Sequence, residues 1–215
     1  MRPETLLAQC LPPAPAIVNG SFESGDYPCT APLDAFAYGC VDDWFAGSQS
    51  PTIFEEFSVA GSSTVTPQQG DYFALCAAYN YPATHECFHE AIVQELDLIP
   101  GLSYRLQFYA STVSPYPYDS PLELNVYFTS GLTNAPTTSD LGLCLSLPSG
   151  DLVYSASFES YGGWTLVDIT FQVPDNSTAD QLVVFPISYD EAANSYYLLL
   201  DNFSIGLCTY SDLEA

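Results

Sequence analysis

Residues 92–108 read Ile-Val-Gln-Glu-Leu-Asp-Leu-Ile-Pro-Gly-Leu-Ser-Tyr-Arg-Leu-Gln-Phe, and the way this stretch folds decides the architecture of the chain. Leu96 and Leu98 alternate with Glu95 and Asp97, and Tyr104, Leu106 and Phe108 alternate with Arg105 and Gln107, the period of half-buried strands. Between the two arms lies Pro100-Gly101. Proline presets one corner dihedral of a turn and glycine supplies the positive φ of the next. The stretch therefore predicts a strand–turn–strand hairpin, with strands near 88–98 and 102–112.

Five residues shortly before it argue the other way. His85-Glu86-Cys87-Phe88-His89 satisfies H-E-x-x-H and contains both histidines of the protein. On a helix this spacing puts two imidazoles on one face as zinc ligands, with Glu86 as general base for a metal-bound water. Cys87, Phe88, Ala91, Ile92, Leu96 and Ile99 could even form the apolar stripe of such a helix. On a strand, His85, Cys87 and His89 share one face and Glu86 points away, so the base is on the wrong side. The two readings exclude each other, and the hairpin pattern favours the strand. A zinc metallopeptidase is kept as the lesser alternative.

Further strand patterns appear near 16–23, 52–59, 71–77, 122–130, 151–158, 164–173, 181–188 and 196–207, punctuated by Pro and Gly. Strands at this spacing predict a sandwich or barrel. Residues 24–51 and 131–150, rich in Pro, Gly, Ser and Thr, read as long loop insertions, where specificity tends to reside. No internal repeat or linker is visible, and 215 residues suit a single all-β domain.

Charge narrows the partners. The chain carries 26 Asp plus Glu against two basic residues, Arg2 and Arg105, for a formal charge of -24. Such a field repels nucleic acid, anionic bilayers and acidic polysaccharides, and leaves neutral glycans, cations and basic partners. Only 13% of residues are charged and 47% are hydrophobic, which is enough apolar surface to offset the entropy of ordering the chain. No apolar run approaches the ~20 residues of a membrane span. Seven cysteines without a cytosolic motif point to an oxidising compartment, hence to secretion or the cell surface. Thr5-Leu-Leu-Ala-Gln-Cys10 resembles the tail of a signal peptide; as a lipoprotein box it would need a small residue where Gln9 stands.

The two ends carry the remaining motifs. Residues 17–23 read Ile-Val-Asn-Gly-Ser-Phe-Glu and residues 196–205 read Tyr-Tyr-Leu-Leu-Leu-Asp-Asn-Phe-Ser-Ile. Together with 92–108, these segments resemble the first strand, the last strand and the middle hairpin of bacterial carbohydrate-binding modules with a galactose-binding-like jelly-roll fold, such as families 4, 9 and 22, and of related secreted adhesion modules. The resemblance implies a jelly-roll β-sandwich of two antiparallel sheets over 16–208. Residues 1–15 are then a signal-peptide remnant and lead-in, and 209–215 a tail. It also implies a structural Ca²⁺ bound by Glu23 and Asp201 on neighbouring terminal strands, helped by backbone carbonyls. Hard carboxylate oxygens suit that ion, which takes about six to eight of them.

Sugar sites stack rings on exposed aromatics and hydrogen-bond the hydroxyls with amides and carboxylates. Tyr79, Tyr81, Tyr116, Tyr118 and Tyr189, in Tyr- and Pro-rich segments, are the ligand-binding candidates, while Trp44 and Trp164 are expected to be structural. Proximity suggests disulfides Cys29–Cys40 and Cys76–Cys87. Because jelly-roll termini lie close together, Cys10–Cys208 is added, leaving Cys144 as the odd thiol. Asn19, Asn176 and Asn202 each head an N-x-Ser/Thr triplet, two of them inside the end motifs. The expectation is a secreted, calcium-stabilised, non-catalytic module for a neutral glycan. The alternative is a structural or adhesive sandwich that meets an extracellular surface protein or assembly, with no nucleic-acid partner and no membrane insertion in either case.

Overall fold

The structure, a computed structural model, describes residues 9–11, 17–27, 35–36, 38–58, 64–81, 86–113, 122–133, 150–158, 163–188 and 196–209. Every regular element among them is a strand. One sheet contains β1 (Gln9–Leu11), β3 (Thr52–Phe54), β4 (Phe73–Tyr81), β5 (Glu86–His89), β7 (Ser103–Val113), β10 (Thr165–Gln172) and β12 (Tyr196–Thr209). Its main path runs β10-β7-β12-β4-β3, with β1 on one end of β12 and β5 on one end of β4. The other sheet contains β2 (Trp44–Ser48), β6 (Ala91–Glu95), β8 (Leu122–Thr129), β9 (Asp151–Phe158) and β11 (Gln181–Ile187), in the order β2-β6-β11-β8-β9. All pairs are antiparallel. This is an all-β jelly-roll sandwich: the strand spacing predicts a sandwich or barrel, and the resemblance of the three motifs implies the jelly roll.

Alternation sorts the side chains. Tyr104, Leu106, Phe108 and Ala110 of β7 point into the space between the sheets and meet Leu124, Val126, Leu182 and Val184 in one continuous core. At one end that core is aromatic: Phe22 packs on Phe36, Trp44 and Phe203 at ring centroids of 5.9, 5.3 and 6.0 Å, and Phe108 stacks on Phe203 at 4.6 Å. Both outer faces also carry buried apolar clusters. Phe73, Leu75, Val113 and Leu199 form one with Val65, and Ala91, Val93, Tyr127, Val183 and Phe185 form the other. Neither sheet is open to water along those rows.

Four expectations need correction. The 92–108 segment is no hairpin, because β6 belongs to the five-strand sheet and β7 to the other, so the Pro100-Gly101 turn carries the chain from sheet to sheet. The turn itself forms as read, with Leu102 N–H donating to the Ile99 carbonyl at 3.3 Å. Residues 17–23 are a turn and not a strand, with Asn19 and Phe22 at φ of 50° and 60°. The first strand is instead β1, which lies within the segment taken as lead-in and pairs with Leu207–Thr209. Part of the supposed insertion 24–51 is β2, an edge strand against β6. Finally, Cys76 is a free thiol buried in the core, and the β4–β5 register sets Cys87 against Asn80, four positions further along β4. At roughly 3.3 Å per residue that offset is too long for a disulfide, so Cys76–Cys87 is excluded.

Candidate functional site

The turn at 19–24 is built by its own motif. The Asn19 side-chain amide donates to the Ser24 and Asp42 carbonyls at 2.8 and 2.9 Å, and its oxygen accepts the Ser24 N–H at 2.9 Å. Asparagine tolerates the positive φ found here better than most residues. A Cβ on Gly20 would lie 2.2 Å from the Phe203 carbonyl oxygen, so only glycine lets this turn dock on β12, where Phe203 N–H donates to the Gly20 carbonyl at 2.9 Å. Phe22 is thereby driven fully into the aromatic core. Glu23 emerges beside it.

At the other end of the chain, β12 slips register against β7 between Asp201 and Ser204, with Asn202 at φ 53°. This bulge re-aims the Asp201 side chain. Its carboxylate accepts the backbone N–H groups of Gln68 and Gln69 at 2.8 and 3.0 Å and that of Asn202 at 2.6 Å. Glu23 Oε1 accepts those of Asp71 and Tyr72, both at 3.0 Å. Between them sits Gly70, at φ 72°, where a Cβ would fall 2.2 Å from Glu23 Oε1. The two carboxylates that the resemblance pairs thus both hold one loop, 68–72.

Asp201 is fully buried, and that burial pushes its pKa up to about 7 despite three N–H donors, with the Glu23 charge adding to the rise. Among the described residues no cationic side chain pairs with it. Of the two arginines, Arg2 lies outside the described residues, and Arg105 is held on the sheet face by Asp168 and Gln107. The pair fits a hard divalent cation in this respect, since such an ion would neutralise a buried acid beside a second acid. Among the described residues no third His, Cys, Asp or Glu joins them in a metal-holding group, so backbone or amide oxygens and water would have to complete a Ca²⁺ shell.

The H-E-x-x-H segment is extended. Glu86–His89 is β5 and Ala91–Glu95 is β6, so the helical spacing that a zinc-peptidase site requires is not formed there. His85 lies outside the described residues. His89 is buried, its ring held by the Ser188 backbone carbonyl and its Nε2 without a partner among the described residues, and burial lowers its pKa to about 4. Glu90, between the two strands, is where the chain changes sheets. Its carboxylate accepts the Ala77 N–H at 2.6 Å and the Ser50 hydroxyl at 3.1 Å, standing in for a strand partner where β3 has ended and β5 begins on β4. Nothing in the residue pattern distinguished Glu90 from the other acids.

Of the tyrosine candidates, Tyr116, Tyr118 and Tyr189 lie outside the described residues. Tyr79 and Tyr81 fall on β4, with only their backbone described. Both tryptophans are structural: Trp44 is buried, its indole N–H shared by the Val18 and Asn19 carbonyls, and Trp164 donates to the Thr66 carbonyl while packing on Phe73. An aromatic pair that sequence reasoning missed, Tyr27 and Tyr72, packs beside Glu23 with ring centroids 4.4 Å apart and planes tilted by 32°, and the Tyr27 hydroxyl donates to the Phe22 carbonyl. Burial and the neighbouring acids raise the pKa of both phenols.

No protein-family model and no curated protein matches this chain. Solved structures do match, and carbohydrate-binding modules are prominent among them. The CBM22-1 xylan-binding domain of Paenibacillus barcinonensis Xyn10C is 15% identical over 95% of this chain and 97% of its own, with a TM-score of 0.47. A CBM4 module is 14% identical over 89% and 99%, with a TM-score of 0.44. Arabinose-bound MgGH51 α-L-arabinofuranosidase is 10% identical over 94% of this chain and 27% of that longer one, with a TM-score of 0.50. At these identities the likeness is one of fold.

Proposed function

We propose that this protein is a secreted, non-catalytic carbohydrate-binding module for a neutral glycan, with Ca²⁺ between Glu23 and Asp201 holding its ends together. The observation that carries the reading is the convergence of the three motifs. Asn19-Gly20 docks on Phe203, Gln94 of the middle motif hydrogen-bonds Val18 in both directions at 2.6 and 3.2 Å, and Glu23 and Asp201 share one loop. Residues that resemble those of the sugar-binding modules are therefore tied to one another and not scattered over an unrelated sandwich. Secretion is supported by the register of β1, which sets Cys10 directly opposite Cys208, a separation compatible with a disulfide. Neither Cys40 nor Cys208 is without a partner, in keeping with the proposed Cys29–Cys40 and Cys10–Cys208 bridges; Cys29 lies outside the described residues.

A structural or adhesive module is the second reading. The buried clusters on both outer faces favour it, because a long glycan laid across either sheet would meet no open groove along those rows. A glycan-array screen in Ca²⁺ and in chelator tests the proposal. Retention of a neutral glycan supports it, and a blank array in Ca²⁺ leaves the structural reading.

A further inference from the structure

One open concavity has rigid walls. At the β2 end of the five-strand sheet, Val18, Asp43, Trp44, Phe45, Gln94 and Glu95 line a cavity of about 460 Å³. Its frame is fixed from behind. Buried Gln94 accepts the Val18 N–H at 3.2 Å and donates to the Val18 and Asp43 carbonyls at 2.6 and 3.4 Å, while the Trp44 indole holds the Val18 carbonyl at 3.2 Å. Phe45 is half-buried because its other side packs on the cluster of Val93 and Val183, so its ring has little freedom to move. Asp43 stands at φ 66°, a backbone state uncommon outside glycine that the Gln94 contact helps to hold.

The lining is amphipathic in a particular way. Val18, 52% exposed, and Phe45 offer an apolar surface, whereas the exposed Asp43 and Glu95 side chains make no hydrogen bond or ion pair with the described residues. A carboxylate ion only accepts hydrogen bonds. An occupant must therefore bring donors on one side and C–H surface on the other, and it cannot be anionic. The cavity lies toward the small end of the roughly 300–1,000 Å³ spanned by small-molecule sites, too small for a polymer lying along the sheet.

We propose that this edge pocket binds the end unit of a neutral saccharide, its C–H face against Phe45 and Val18 and its hydroxyls donating to Asp43 and Glu95. The inference rests on the carbohydrate reading above and deepens it from a glycan-binding module to one that takes chain ends or short saccharides at the β2–β6 edge. A hydrophobic cation is the competing occupant.

The experiment titrates the full chain, at fixed Ca²⁺, with methyl glycosides and disaccharides of glucose, galactose, mannose and xylose, by calorimetry and by Trp fluorescence. Putrescine and lysine methyl ester form the second arm. Glu95→Gln, Asp43→Asn and Phe45→Leu are compared with Glu56→Gln, an exposed acid outside the pocket. Melting temperatures establish that each variant is folded, and Glu95→Gln decides should Phe45→Leu fail to fold. Saccharide binding weakened about tenfold or more by Glu95→Gln and unchanged by Glu56→Gln supports the site; a factor of that size corresponds to about one charge-assisted hydrogen bond. Saccharide binding equal in all variants overturns the pocket while leaving the carbohydrate reading intact. No saccharide binding, here or on a glycan array, overturns both. Binding of the cations alone, lost in Glu95→Gln, overturns the saccharide assignment.

Discussion

Glu23 and Asp201, from opposite ends of the chain, hold the same loop: Asp201 takes the N–H groups of Gln68 and Gln69, and Glu23 takes those of Asp71 and Tyr72. Two acids so placed repel each other, and a cation would relieve the repulsion. Ca²⁺ at saturating concentration is therefore expected to raise the melting temperature over that in chelator, because a ligand that binds only the native state stabilises it by mass action. Asp201→Asn and Glu23→Gln should each abolish that difference. Equal melting temperatures for the parent protein in Ca²⁺ and chelator would remove calcium from the account.

His89 should make the fold acid-labile. Its pKa is about 4 in the native state against 6.5 ordinarily, so between those values the unfolded chain binds a proton that the folded chain does not. Stability from this group is complete above pH 6.5 and is lost as pH falls toward 4, by up to about 3 kcal/mol. Asp201, whose pKa is raised, acts in the opposite sense. The contribution is therefore read as the difference between the parent protein and His89→Gln in urea melts across pH 4–7. A difference that does not change with pH would refute it.

Glu90→Ala should destabilise the protein by about 1–3 kcal/mol, since the buried Ala77 N–H would lose its acceptor at the point where the chain changes sheets. Glu90→Gln keeps an oxygen there and should lose less. Hydrogen exchange at the Ala77 amide is the specific readout: it should quicken in Glu90→Ala ahead of the amides of β12.

Gly20→Ala should be among the most damaging single changes at the chain end, because the added methyl would meet the Phe203 carbonyl oxygen at 2.2 Å with only backbone on either side to yield. A loss of roughly 3 kcal/mol or more is expected, at the upper end of ordinary substitutions. Ser21→Ala, one position along, is the control. Comparable midpoints for the two variants in urea would contradict the close approach.

Cys76 should resist alkylation in the folded protein. Burial raises its pKa well above the usual thiol range, with Glu90 adding to the effect, and the thiolate is the reactive form. Denaturation under non-reducing conditions should release it for labelling, and peptide mapping should then find Cys10 joined to Cys208. A Cys76-containing disulfide peptide would overturn both the core placement and the β4–β5 register.

The sequence by itself determined the class of fold and the residues that hold its ends. Period-2 alternation is a local property of the chain, so β7 through β12 could be read nearly to their bounds, and Pro100-Gly101 had to turn wherever it lay. The single strand expected over 88–98, by contrast, is two short strands, β5 and β6, in different sheets. Asn19-Gly20 and Glu23 were singled out with Asp201 through the resemblance of the two end motifs, although 17–23 reads as a strand and folds as a turn. Which sheet a strand joins is not local. The same alternation serves either sheet, and so the 92–108 segment read as a hairpin when it is a crossing between sheets. Gln94 could not be distinguished from a surface amide, since its partner Val18 lies 76 residues away, and Glu90 looked like one more acid among 26. The edge pocket arises only where the 17–24 turn, β2 and β6 meet. Burial, the Asp201 and His89 pKa shifts and the free Cys76 thiol depend on which side chains the packed sheets enclose, and that was decided by tertiary structure alone.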